Sequence, residues 1–225
     1  LVSIFGDRFT YLALLAVVVE HASVPSNPAA ELAMIPVASF LPAILFSPWA
    51  GALVDGWNTR RVLILSDAAR GVLVLLMIPA VAWGGLAAAF ALVFLLYLAN
   101  AFFLPARSAI LPDLVPTERL TEANSLATLA GVAATIAGSL AGAAAVERLG
   151  WRAGFALDAI TYFVSVAALA QIQVRPAERP HPRPPCPHPR RGSPYRAILA
   201  DVREGARIAL ASRHMLGAIG AVVLL

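Results

Sequence analysis

Apolar stretches of about twenty residues alternate along this chain with short polar breaks built on Gly, Pro and charge, the pattern of a polypeptide that crosses a bilayer repeatedly. It predicts a first span from Leu1 to Val19, interrupted at Gly6-Asp7-Arg8, and a second from Glu31 to Val54 carrying Pro36, Pro42 and Pro48. A packed membrane helix tolerates such prolines when its neighbours satisfy the freed carbonyls. The third span runs from Arg61 to Trp83, and the uncharged turn Gly84-Gly85 leads to a fourth from Leu86 to Leu104. A loop from Pro105 to Glu122 follows, with Pro105, Pro112 and Pro116 as breakers and a surface helix start at Thr117-Glu118-Arg119-Leu120. Spans five and six cover Ala123 to Val146 and Gly154 to Ile172, divided by a turn from Glu147 to Arg152.

Beyond these, residues 175–194 are dense in Pro, Arg and His and read as an extended linker. Residues 195–225 begin amphipathic and turn apolar from Ile208, the start of a seventh span. The expected organisation is a six-helix bundle over 1–174, the linker, and the lead-in to a second bundle. The chain opens at Leu1 inside an apolar span, so its natural N-terminus is expected to lie upstream.

Composition agrees with a membrane protein: 60% of residues are hydrophobic and 13% charged. All 17 cations are Arg, a bias expected of a GC-rich bacterial genome and hence of an inner membrane. With the charged turn at Asp55 set inside, the inner loops take Arg8, Arg60, Arg61, Arg70, Arg107, Arg119 and every Arg from Arg175 to Arg213, leaving only Arg148 and Arg152 outside. The arginines sit in loops between apolar spans and are not interleaved with aromatics on one surface, which argues against nucleic acid as a partner. Cys186 is the only cysteine, so no intrachain disulfide can form. Prolines between His181, Cys186 and His188 disfavour a compact metal site, and no cofactor is expected.

A weak internal echo appears at an offset of 91 residues, pairing Gly51, Arg61, Asp67 and Ala68 with Gly142, Arg152, Asp158 and Ala159. Each set lies at the junction of the second and third helices of a three-helix group. Three being odd, the second group crosses the membrane in the opposite sense, so the fold class is an all-α membrane bundle of six transmembrane helices as a 3+3 inverted repeat.

The turn Gly51-Ala52-Leu53-Val54-Asp55-Gly56-Trp57-Asn58-Thr59-Arg60-Arg61 resembles the loop between helices two and three of the major facilitator superfamily, G-x-L-a-D-R-x-G-R-[RK]. Gly51, Leu53, Asp55 and Arg60 match; Gly56, Asn58 and Thr59 stand where that pattern has Arg, Gly and Arg. Gly6-Asp7, Phe103-Leu104-Pro105-Ala106-Arg107, the run from Leu111 to Pro116, Ala123-Asn124-Ser125-Leu126 and Leu157-Asp158-Ala159 resemble the drug and siderophore exporters of that superfamily. The antiporter motif G-P-x-x-G is represented by Gly138-Ser139-Leu140-Ala141-Gly142, with Ser for Pro. The resemblance implies twelve helices in two halves, of which this chain supplies one half and the start of the other. It also implies export of drug-like or siderophore-like small molecules by alternating access, with proton antiport. A lone half, lacking the second wall of the cavity and the missing C-terminal half as its partner, is expected not to transport.

Gly51, Asp55, Arg60 and Arg61 would by resemblance form the inner gate. Asp7, an acid early in the first span, is either a proton-binding group or a tie between helices; Glu20, at the outer end, is either a mouth residue or a hydrated helix terminus. Asp67 and Arg70 are three residues apart and can meet on one face. By resemblance Asp67 and Asp158 lie on peripheral helices and are structural, while Tyr11, Ser39, Tyr97, Asn100 and Thr128 are polar handles in the cavity. Such a lining suits amphipathic molecules. Gly138 and Gly142 are small enough to let helices pack closely. No nucleophile or metal ligand accompanies these acids, and no G-x-x-x-x-G-K-[ST] loop is present, so neither an enzyme nor an ATP-driven pump is expected. A non-transporting sensor of the same fold, or the membrane part of another exporter class, is the alternative.

Overall fold

The computed structural model describes residues 1–21, 28–54 and 57–172. Among them there are no strands, and four helices are long and apolar enough to cross a membrane. They are α1 (Val2–His21), α2 (Pro28–Val54), α3 (Thr59–Leu114) and α4 (Leu120–Gln171), with a single 3-10 turn, Thr117–Arg119, between the last two. The loop after His21, Asp55 with Gly56, the linker 175–194, its His181, Cys186 and His188, and the segment 195–225 lie outside the described residues.

α1 is continuous through Gly6-Asp7-Arg8, where an interruption was expected. Lipid offers the backbone no competing partner, so the helical hydrogen bonds hold whatever the local propensity. α2 starts on Pro28, whose missing N–H costs nothing at the first helical position, and Glu31 in its first turn complements the helix dipole. Asn58 caps α3, its Oδ1 accepting from the Arg61 amide at 3.1 Å.

α3 also runs on through Pro105 and Pro112, which the sequence pattern marks as breakers, and ends at Leu114. The actual stop is Pro116: the residue before a proline is driven out of the α region, and Val115 sits at φ −132°, ψ 148°.

At 56 residues, α3 would be about 84 Å long if straight. It is not straight. Gly85 adopts φ 64°, ψ −161°, a conformation only glycine takes without strain, and Arg70 Nη1 donates to Asn100 Oδ1 at 3.0 Å across 30 residues. A straight helix would hold those residues about 45 Å apart. The chain therefore folds back at Gly85, midway between them. α4 does the same at Gly150, with φ 79°, ψ 169°: Gly138 on one side of the break and Thr161 on the other both abut the start of α1, at Phe5 and Gly6.

α1 packs chiefly on α4, α2 on α3, and α3 on α4. One core cluster joins Leu14 and Val17 of α1, Ile35 of α2, Met77 and Val93 from either side of Gly85, and Phe155 of α4. A second, formed by Val54, Val62, Leu63, Phe103, Ala106 and Ile110, closes the end where α2 meets α3. Around this core the outer surface is apolar, with Phe40 and Ile44 of α2, Leu65 of α3 and Leu126, Leu129 and Leu140 of α4 exposed. So many large apolar side chains on the outer face are the surface of a multi-pass membrane protein.

Candidate functional site

Three aspartates, an arginine and a tyrosine meet where α1 crosses α3 and α4. Asp67 and Asp158 are each 0% exposed and Arg70 is 2% exposed. Asp67 Oδ1 forms an ion pair with Arg70 Nη2, and Ser165 Oγ donates to the other carboxylate oxygen at 2.6 Å. Arg70 spends a second nitrogen on Asn100, and its guanidinium lies 4.2 Å from the ring centre of Phe103 and 4.8 Å from that of Tyr162. Burying a charge is costly unless it is paired and bonded, and Arg70 has a carboxylate, an amide and two ring faces for the purpose.

Asp7 comes from α1, accepting at Oδ1 from the Tyr162 hydroxyl of α4. Asp158 stands one turn before Tyr162, and its Oδ1 receives the Thr161 hydroxyl at 3.2 Å, shared with the Asp158 carbonyl at 2.8 Å. Close approach here depends on Gly6: a Cβ at that position would overlap Thr161 Oγ1 and Asp158 Oδ1. Beside the cluster lies a cavity of about 20 Å³, lined by Asp7, Thr10, Arg70, Leu96, Tyr97, Asn100 and Tyr162. That volume admits a water and no larger molecule.

Asp7, Tyr97 and Asn100 are therefore brought to one cavity. Tyr11, one turn after Asp7 on α1, is 40% exposed. Ser39 is buried and donates to the Ile35 carbonyl at 2.8 Å; Thr128 is exposed and donates to the Asn124 carbonyl at 2.8 Å. Glu20 Oε2 accepts from the Trp151 indole at 2.8 Å, tying the end of α1 to the residue after the Gly150 break. Arg60 Nε reaches the Leu169 carbonyl at 3.1 Å and Nη2 bonds the Ala170 carbonyl, so it caps the last turn of α4. Arg61 is exposed and contributes its amide to the Asn58 cap.

Gly51 has open space around its α-carbon, whereas Gly138 and Gly142 lie directly on the α1 backbone at Phe5 and Phe9. Asp55 lies outside the described residues. Tyr162 was not anticipated. The available signal was a hydroxyl-bearing aromatic four residues after Asp158 in an apolar span, on the same helical face.

A multi-pass membrane chain whose described residues are helical, with a charged network between the helices, matches the family model described as the Major Facilitator Superfamily over residues 1–225, and the chain belongs to that superfamily. Among individual proteins it is similar to the lysophospholipid transporter LplT of Cronobacter sakazakii, 29% identical over 180 residues. The match covers 79% of this chain and 42% of that protein's length. No solved structure matches the chain.

Proposed function

We propose that this chain belongs to a secondary active transporter that moves amphipathic small molecules by alternating access, with protons as the coupling ion and Asp7 in the coupling network. The observation that carries the reading is the Asp7–Tyr162 contact beside the Arg70–Asp67 pair, an ionisable cluster inside a bundle whose outer face is otherwise apolar. Intramembrane charge is retained at this cost where it serves a substrate or ion path. The breaks at Gly85 and Gly150 support six spans arranged as a 3+3 inverted repeat. In that arrangement Arg70 bonds across to the first helix of the second triplet, while Gly6 of the first triplet packs on the third helix of the second.

In the same reading the Arg60 end is cytoplasmic, the membrane is the bacterial inner membrane, and Asp55, Arg60 and Arg61 form the inner gate. The remaining six helices form the second wall of the cavity. Substrates are drug-like or siderophore-like molecules, or lysophospholipids as the name of the relative suggests.

Everted membrane vesicles containing the full-length protein test this directly. After acidification of the lumen, addition of a fluorescent lysophospholipid or a lipophilic dye should release protons, read as recovery of acridine fluorescence. Vesicles that respond no differently from empty-vector membranes would refute the reading.

A further inference from the structure

Asp158 and Asp67 occupy equivalent places 91 residues apart, yet their surroundings differ in one decisive respect. Three residues after Asp67 stands Arg70, which neutralises it; three residues after Asp158 stands Thr161, which cannot. Asp158 is fully buried, and among the described residues the groups placed to donate to its carboxyl are hydroxyls, those of Thr161 and Thr10.

The groups that face Asp158 are Asp7 and Thr10 from α1, Thr161 and Tyr162 from its own helix, and Arg70 from α3. Arg70 is committed to Asp67 and Asn100. Asp7 adds a second buried carboxyl and no positive charge. An ionised Asp158 would thus be a buried anion held by hydroxyl donors alone beside another carboxyl, an environment ill suited to hold it charged. Among the described residues no group of three or more His, Cys, Asp or Glu side chains is placed to hold a metal ion.

We propose that Asp158 is a proton-binding site: the fold holds its carboxyl as the neutral acid, and the proton exchanges with the adjacent cavity through the Thr10 hydroxyl. Thr10 lines that cavity. In the exchange the Asp158 Oδ2–H bond breaks as its proton passes to the Thr10 oxygen, while the proton Thr10 already carries moves to water in the cavity; Asp158 is left a carboxylate and Thr10 is unchanged. Use of this proton to drive substrate rests on the transport reading above; its presence on Asp158 does not.

Infrared spectroscopy of the full-length protein in lipid nanodiscs tests the site without a substrate. At neutral pH the carbonyl stretch of a protonated carboxylic acid should be present, lost in Asp158→Asn, and retained in Asp7→Asn. Asp158→Glu, which keeps the acid, should move the band and not abolish it, and so covers the case in which the amide variant does not fold. In deuterated water the band should shift, at least tenfold more slowly in Thr10→Val than in the unmodified protein. A band untouched by Asp158→Asn and Asp158→Glu, a band lost in Asp7→Asn, one that never shifts in deuterated water, or equal exchange in Thr10→Val would overturn the proposal. A protein that passes these tests yet moves no substrate would retain the site and lose the transport reading.

Discussion

The Tyr162 hydroxyl donates to Asp7 Oδ1, joining the last helical arm of the described chain to the first across 155 residues. The hydrogen bonds of Arg70 and Asp67 are made within α3 or between α3 and α4, so the Tyr162 bond is a direct chemical tie of α1 to the network. Replacing Tyr162 by Phe keeps the ring against Arg70 and removes only the donor. A typical hydrogen bond contributes about 0.5–1.5 kcal/mol net, so Tyr162→Phe should lower thermal stability in detergent by that order. It should also weaken proton-linked transport more than expression. A melting curve superimposable on the unmodified protein would show that the bond contributes nothing.

Asp67 and Arg70 should behave as a unit. Removing one partner of a buried pair leaves the other charge uncompensated, at about 3–5 kcal/mol, whereas replacing both can be close to neutral. Asp67→Asn and Arg70→Met should each destabilise strongly, and the double variant should be more stable than either. A double-variant cost equal to the sum of the two would contradict the pairing.

The glycines divide into two kinds that substitution separates. At Gly138 a methyl would meet the Phe5 carbonyl oxygen and lie 3.1 Å from the Phe5 α-carbon, so Gly138→Ala should cost about 1–3 kcal/mol through overpacking. At Gly150 there is open space but φ is 79°, so Gly150→Ala should cost about 1–3 kcal/mol through backbone strain alone. Gly150 pairs φ 79° with ψ 169°, outside the left-handed helical region that Asn tolerates, so Gly150→Asn should recover none of that loss; a thermal melt unchanged in either alanine variant would contradict the cause assigned to it.

Much of this architecture is legible in the residues because hydropathy is a local property. The end of α2 at Val54, the turn at Gly85 and the meeting of Asp67 with Arg70 follow from run length, a Gly pair and a spacing of three. What escapes is whatever depends on the surroundings of a helix. Gly6 looks like a break but is the contact that lets Asp158 and Thr161 approach α1, and Pro105 and Pro112 look like breaks but sit inside a packed helix. The role of Tyr162 is invisible for the same reason: Asp7 is 155 residues away, and no periodicity relates them.

Arg60 offers a test at the other end of the bundle. Its two bonds to the Leu169 and Ala170 carbonyls are each worth about 1 kcal/mol net, and Arg60→Gln should loosen the end of α4 without disturbing the distant Asp7 cluster. Hydrogen exchange over residues 165–172 should accelerate while exchange over 155–162 stays unchanged. Uniform acceleration across both segments would mean that Arg60 supports the whole bundle and not its end.

Proton-coupled transport itself is best measured with the full-length protein in proteoliposomes, following a fluorescent lysophospholipid and a lipophilic dye under an imposed pH gradient. At least one of them should move against its own gradient, and movement should collapse with a protonophore and with Asp7→Asn. Flux that is absent for both, or that is indifferent to the pH gradient and to Asp7, would contradict the account.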